Sequence, residues 1–375
     1  MSIDNEIRVG VIGPGGAGRG NTMGFASSTD VRVVAAADVN EGSLNALETA
    51  LVDRFGYEEG NLKRYVGEYE YIEMIDKEDL DIVGVYSPHS LHDIHCKYAL
   101  RNDINVHVEK PMANMVGDAI TMAKITMGRN LHLVVGYQRH YDNRYVTAKK
   151  LIQDGKIGEL KKFEVYLAQR WHGGGWRGDP RFSGGGQPND SGSHIQDIFL
   201  WMTGLLPKTV YGTTSFEFDH GDGRIEIRPI EIDCDTEVTM ENGAVGTVKI
   251  VGNTKAGFEE WIILEGDEGT LELRGGISFI PKGGEPQPVP AYRPDGYPVN
   301  KIDQIVGLVK GDYDTNYTSV VSGVRTSWLT NAIIASGKGP KEKNNVSCDE
   351  LLEKEGYSRD FVKDLILKAS ERKMF

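Results

Sequence analysis

Three cysteines in 375 residues, Cys96, Cys234 and Cys348, are too few, too scattered and the wrong parity for a disulfide framework, and none sits in a CxxC pair. A reducing compartment fits that usage. Positive charge is scarce as well: 42 Lys and Arg face 55 Asp and Glu, and the net charge of −13 repels phosphate backbones and anionic headgroups. Nucleic acid and membrane are therefore not expected as partners. No apolar run approaches the roughly 20 residues of a membrane span. The opening MSIDNEIRVGVIG lacks the basic and apolar regions of a secretory leader, so a cytoplasmic location is expected. Prolines, 14 against 46 glycines, are too few for long extended linkers, and the chain reads as globular with many tight turns.

What is present is hydrophobic periodicity of two kinds. Runs at 7–13, 31–39, 81–88, 105–111 and 131–138 read as buried strands, and the segments near 16–28, 41–54, 90–101 and 114–128 as crossover helices of a parallel, doubly wound sheet. After about residue 155 the texture changes. Stretches such as ELKKFEVYLAQRW and EEWIILEGDEGTLEL alternate apolar and polar residues, the pattern of antiparallel sheet with one covered face. Asn242-Gly243 predicts a type I′ hairpin, 191–203 a helix, 286–298 an irregular proline-rich segment, and the chain from Asp349 onward a charged helical tail. The size suggests two domains, with a dinucleotide-binding unit over 1–138 and an α+β unit over 139–375.

Gly13, Gly15 and Gly18 in GPGGAG match G-x-G-x-x-G between a strand and a helix, with Gly16 and Ala17 inside the turn. Such a loop lets backbone approach a pyrophosphate at a helix N-terminus. Asp38, twenty residues beyond Gly18, ends the second strand, where a carboxylate accepts hydrogen bonds from a ribose diol and repels a 2′-phosphate. NAD is thus expected over NADP. Asp38 could instead cap the following helix, although Asn40 can do so equally.

Two further elements carry chemistry. VHVEKPM ends a buried strand on Glu109 and Lys110, held by Pro111, where ligands of doubly wound sheets bind. The bland reading is a surface lysine paired with Glu109. In DSGSHIQD, Asp190 and His194 stand four apart and fall on one face in a helix; the bland reading makes Asp190 an N-cap and Asp197 the partner of His194. Neither this set nor His89, His92 and His95 has the spacing of a metal site, and no metal is expected.

Together the glycine loop, SP…H, EKP and GGG…D…H..D…W..G resemble the Gfo/Idh/MocA family over roughly residues 5–340. The resemblance implies a Rossmann domain followed by an α+β domain with a large, open, mostly antiparallel sheet, commonly the subunit interface, so a homo-oligomer is expected. It implies an NAD(P)-dependent enzyme acting on sugars, cyclitols or related polyols as small-molecule partners. By position it assigns catalysis to Lys110, Asp190 and His194, and cofactor contacts to Ser87, Pro88, His92, Glu109, Lys110 and Gln138. Arg139 follows Gln138 toward the substrate. Trp171 and Trp176 are expected to stack on a sugar, with Arg170, His172 and Arg177 reaching its hydroxyls. The expected reaction is reversible hydride transfer from a secondary alcohol. Alternatives are an NAD-retaining glycoside-cleaving enzyme and a non-catalytic NAD-binding regulator.

Overall fold

A computed structural model describes residues 6–255, 257–337 and 344–375. Six strands, β1 (Ile7–Ile12), β2 (Val31–Asp38), β3 (Lys63–Val66), β4 (Ile82–Val85), β5 (Asn105–Val108) and β6 (Leu133–Val135), form one sheet in the order β3-β2-β1-β4-β5-β6. Every pair is parallel. Val9, Val11, Val83, Val85, Val106 and Val108 are buried, because crossover helices cover both faces. Those helices are α1 (Ala17–Ala26), α2 (Glu41–Phe55), α3 (Glu70–Lys77), α4 (His92–Arg101) and α5 (Val116–Gly128), followed by α6 (Asn143–Gln153) and the single-turn α7 (Pro180–Ser183). The strand order reverses between β1 and β4, which opens a crevice beyond their carboxyl ends. Sequence periodicity missed β3: it is an edge strand whose residues are exposed or half-buried, so it has no apolar signature.

The second sheet has nine strands: β7 (Leu160–Ala168), β8 (Pro207–Ser215), β11 (Asp233–Met240), β12 (Val245–Val251), β13 (Glu259–Gly266), β14 (Gly269–Leu273), β15 (Ser278–Pro281), β16 (Gln287–Pro288) and β17 (Asn344–Ser347). A small separate ribbon pairs β9 (Glu217–Asp219) with β10 (Ile225–Ile227). The large sheet runs β16-β15-β14-β13-β7-β12-β11-β8-β17 and is antiparallel except where β7 meets β12. Its inner face, including Phe163, Val165, Ile262 and Leu264, is buried under α8 (Gly192–Thr203) and α10 (Val320–Ser336). Phe163 and Phe199 meet there with ring centroids 4.6 Å apart. The outer face carries exposed Lys162, Glu164, Glu237 and Lys249.

Three features differ from the sequence expectations. The 242–243 hairpin exists, but its turn is not type I′: only Gly243 has positive φ (88°), and Met240 N–H donates to Ala244 O at 2.8 Å across a three-residue loop. The proline-rich stretch supplies the two-residue edge strand β16 before turning irregular. The expected helical tail is present as α11 (Cys348–Lys354) and α12 (Arg359–Glu371), but it is tied to the large sheet, since β17 pairs with β8 just ahead of it. Beyond these, the chain returns to the first sheet through α9 (Lys301–Lys310), whose Ile302, Ile305 and Leu308 pack in the core containing Val9 and Val11. The α10 helix is buried almost all round, so its sequence shows no polar stripe to mark it as a helix. No helix among the described residues is long and apolar enough to cross a membrane.

Candidate active site

The glycine loop leaves β1 with Gly13 at φ 78°, and a Cβ there would lie 2.8 Å from backbone atoms of Tyr86 and Ser87. Gly18 is tighter still, since its Cβ would meet Gly13 O at 2.2 Å. Backbone cannot yield cheaply to such contact. Gly18→Ala is expected to destabilise the fold by roughly 1–3 kcal/mol, seen as a lower urea midpoint. The N-terminus of α1 has neither a side-chain cap nor an acidic residue in its first turn, so its free N–H groups and dipole face the crevice. Beside it lies a cleft of about 510 Å³, lined by Gly13, Asp38, Ser87, Pro88 and Trp176. Asp38 is not the helix cap. Asn40 takes that place, accepting from Gly42 N–H at 2.8 Å, while Asp38 accepts from Asn40 N–H at 2.8 Å and stays half-buried on the cleft wall. A close-approach turn, an uncapped helix N-terminus and a carboxylate at the far end suit a dinucleotide.

Where β4 and β5 end, buried side chains brace this wall. His92 does not line the cleft; its Nδ1 lies 2.7 Å from Pro111 O and its Nε2 2.8 Å from Ser87 O, tying two strand ends together. His95 Nδ1 meets Ser87 Oγ at 2.9 Å. His89 sits 3.8 Å from Asp190 through Nε2. Glu109 accepts from Asn21 Nδ2 at 2.9 Å and pairs with Lys301 at the start of α9. Burial alone would raise the Glu109 carboxyl, but the Lys301 ammonium outweighs it and holds the pKa down at about 2. Lys110 is therefore not the partner of Glu109. The Lys110–Pro111 peptide is cis.

Lys110 instead reaches across to the second domain. Its Nζ donates to Asp190 Oδ1 at 2.7 Å and to Asp190 O at 3.2 Å. Asp190 lies just ahead of α8 and does not cap it. Its Oδ2 accepts from Trp171 Nε1 at 2.9 Å and from Arg177 Nε at 3.1 Å. Desolvation opposes the charge on Asp190, yet Lys110, His89 and Arg177 hold its carboxyl well below the usual carboxylate range. His194, in the first turn of α8, is half-buried; desolvation first, then the charges of Lys110 and Arg139, push its imidazole pKa well down. Its Nδ1 has no hydrogen-bond partner among the described residues. Asp197 does not serve His194, because it is taken by His140 Nε2 at 2.6 Å deep in the core.

Lys110, Asp190 and His194 line one cleft of about 590 Å³, with Gln138, Arg139, Arg170 and His172 on its walls. Arg139 is already paired with Glu260 of β13. Trp171 lines the cleft but is buried against Phe218, Ile230 and Ile232. Trp176 faces the cleft beside the glycine loop instead, its ring against His89 at 4.6 Å. The exposed aromatic at the polar cleft is Phe258. Lys301, Glu260 and Phe258 escaped the sequence reading. Lys301 lies 192 residues from Glu109 and Glu260 lies 121 from Arg139, and neither periodicity nor motif spacing reports a contact at that range.

Comparison with known proteins agrees with this fold. Residues 7–137 match the model described as an oxidoreductase family with an NAD-binding Rossmann fold, and residues 145–272 match the GFO/IDH/MocA C-terminal domain. The chain is 25% identical to an uncharacterised oxidoreductase of Schizosaccharomyces pombe over 57% of its own length and 56% of the relative's, so the match spans about half of that protein. It is 23% identical to the levoglucosan dehydrogenase of Pseudarthrobacter phenanthrenivorans over 71% of this chain and 73% of the other. The solved aldose-aldose oxidoreductase of Caulobacter crescentus superposes with a TM-score of 0.72 at 21% identity, covering 91% of this chain and 99% of that one. The first sheet and its helices are thus an NAD-binding Rossmann fold, and the chain belongs to the Gfo/Idh/MocA oxidoreductase family.

Proposed function

We propose that the protein is an NAD-dependent dehydrogenase that oxidises a secondary alcohol of a sugar, cyclitol or glycoside, reversibly. The observation that carries this reading is the meeting of Lys110, Asp190 and His194 on one cleft at the end of β5. Bound NAD supplies the hydride acceptor. The Lys110 ammonium donates to the substrate oxygen and stabilises the alkoxide that forms there. His194, kept neutral by burial and nearby cations, accepts the hydroxyl proton. Asp190, with both oxygens engaged, fixes Lys110 more than it touches the sugar, which refines its expected role as a substrate ligand. Glu109 and His92 position these groups from behind, and Ser87, Pro88 and Gln138 meet the cofactor. The outer face of the large sheet, where Tyr166 and Trp261 stack at 3.8 Å, is the surface we propose for self-association. The experiment that tests the activity is a screen of sugars, inositols and glycosides with NAD and NADP, following the absorbance of reduced cofactor.

Asp38 sets the cofactor preference in this reading. Its carboxylate repels a 2′-phosphate, so Asp38→Ala is expected to narrow the NAD-over-NADP ratio of kcat/KM by about 10- to 100-fold, the range of a charge-assisted hydrogen bond gained or lost. Parallel rates with the two cofactors measure it. A wild-type enzyme active only with NADP would remove the role assigned to Asp38.

A further inference from the structure

The cleft beside Lys110 is cationic in a chain of net charge −13. Lys110, Arg139, Arg170 and Arg177 line it, and Asp190 is the one carboxylate among its described lining residues. Glu260 satisfies Arg139 from behind. Asp190 has to serve both Lys110 and Arg177, and it engages Arg177 through Nε. Arg170 has no carboxylate partner among the described residues: its guanidinium lies 4.6 Å over the Phe218 ring and donates to the Asp219 carbonyl. Four cations thus meet two carboxylates.

Holding a half-buried guanidinium without a counter-charge costs solvation that an arriving anion recovers. A neutral polyol gives the unmatched charge nothing to pair with. A carboxylate or phosphate does, because the planar guanidinium fork matches either group with parallel hydrogen bonds. We propose that the substrate is an anionic carbohydrate, a sugar or cyclitol bearing a carboxylate or phosphate, held by Arg170 and Arg177 while its reacting hydroxyl faces Lys110 and His194. The reacting end rests on the dehydrogenase reading; the anion-binding end does not.

The test compares glucose, glucuronate and glucose 6-phosphate, and the corresponding galactose set, by initial rates of NADH formation and by calorimetric binding to the NADH-loaded protein. At least one anionic member of a set is expected to exceed its neutral parent by about 10- to 100-fold in kcat/KM or affinity. Preference for the uronate assigns the carboxylate, and preference for the phosphate assigns the phosphate. Arg170→Gln should remove most of that advantage, and Arg170→Lys should restore part of it, with thermal melts confirming that both variants fold. Neutral and anionic members used equally would overturn the anionic class and leave the dehydrogenase standing. Anions that bind with dependence on Arg170 but never reduce NAD would uphold the class and sink the dehydrogenase. Failure of every anion to bind overturns the proposal.

Discussion

Replacing Lys110 with methionine should lower kcat/KM for the alcohol by about 100- to 1,000-fold, the usual cost of deleting one preorganised donor to a developing oxyanion. NAD affinity should hardly change, because the glycine loop and Asp38 lie on the other cleft. Part of the loss is indirect. Without the ammonium, Asp190 keeps Trp171 and Arg177 but loses its 2.7 Å partner, and a buried carboxylate short of one cation is costly. Asp190→Asn separates the two effects: if Asp190 acts mainly by fixing Lys110, its loss should fall on kcat, with a smaller change in KM. Single-turnover rates with both variants would read this. A Lys110→Met enzyme retaining half or more of wild-type turnover would leave Lys110 without a catalytic role.

His194→Asn should cost about 100- to 10,000-fold in kcat, the span of a lost general base. The pH profile adds a sharper test. Burial, Lys110 and Arg139 all lower the imidazole pKa from its ordinary 6.5, so the base stays unprotonated to lower pH than a free histidine would. Activity lost to protonation of this group should therefore appear as an acid limb of kcat/KM below 6.5, and that limb should vanish in His194→Asn. A limb at or above 6.5 that persists in the variant would assign it to another group.

Much of this was legible in the sequence because the signals are local. The β1–glycine loop–α1 unit announces itself through three glycines, two of which the structure holds in backbone contact, and α8 was bounded to within a residue by its apolar period. The helix cap was not decidable in the sequence, since Asp38 and Asn40 can both cap, and only the structure gives it to Asn40. What escaped depends on distance along the chain. Lys301 meets Glu109 across 192 residues and Glu260 meets Arg139 across 121, contacts that no spacing rule reports. Residue type marks both tryptophans as sugar platforms, yet Trp171 is engaged by Asp190 and a small core, and Trp176 faces the other cleft. Residue type indicates what a side chain can do; the packing around it decides which face it offers. Edge strand β3 and buried helix α10 were invisible for opposite reasons, the first having no apolar face and the second no polar one.

The most direct measurement is a crystal structure of the protein with NADH bound. The adenosine should lie along Asp38 and the nicotinamide should project into the cleft of Lys110 and His194, its C4 within reach of a carbon whose oxygen contacts both side chains. A nicotinamide ring turned away from that cleft, or a dinucleotide bound anywhere but over the glycine loop, would contradict the account.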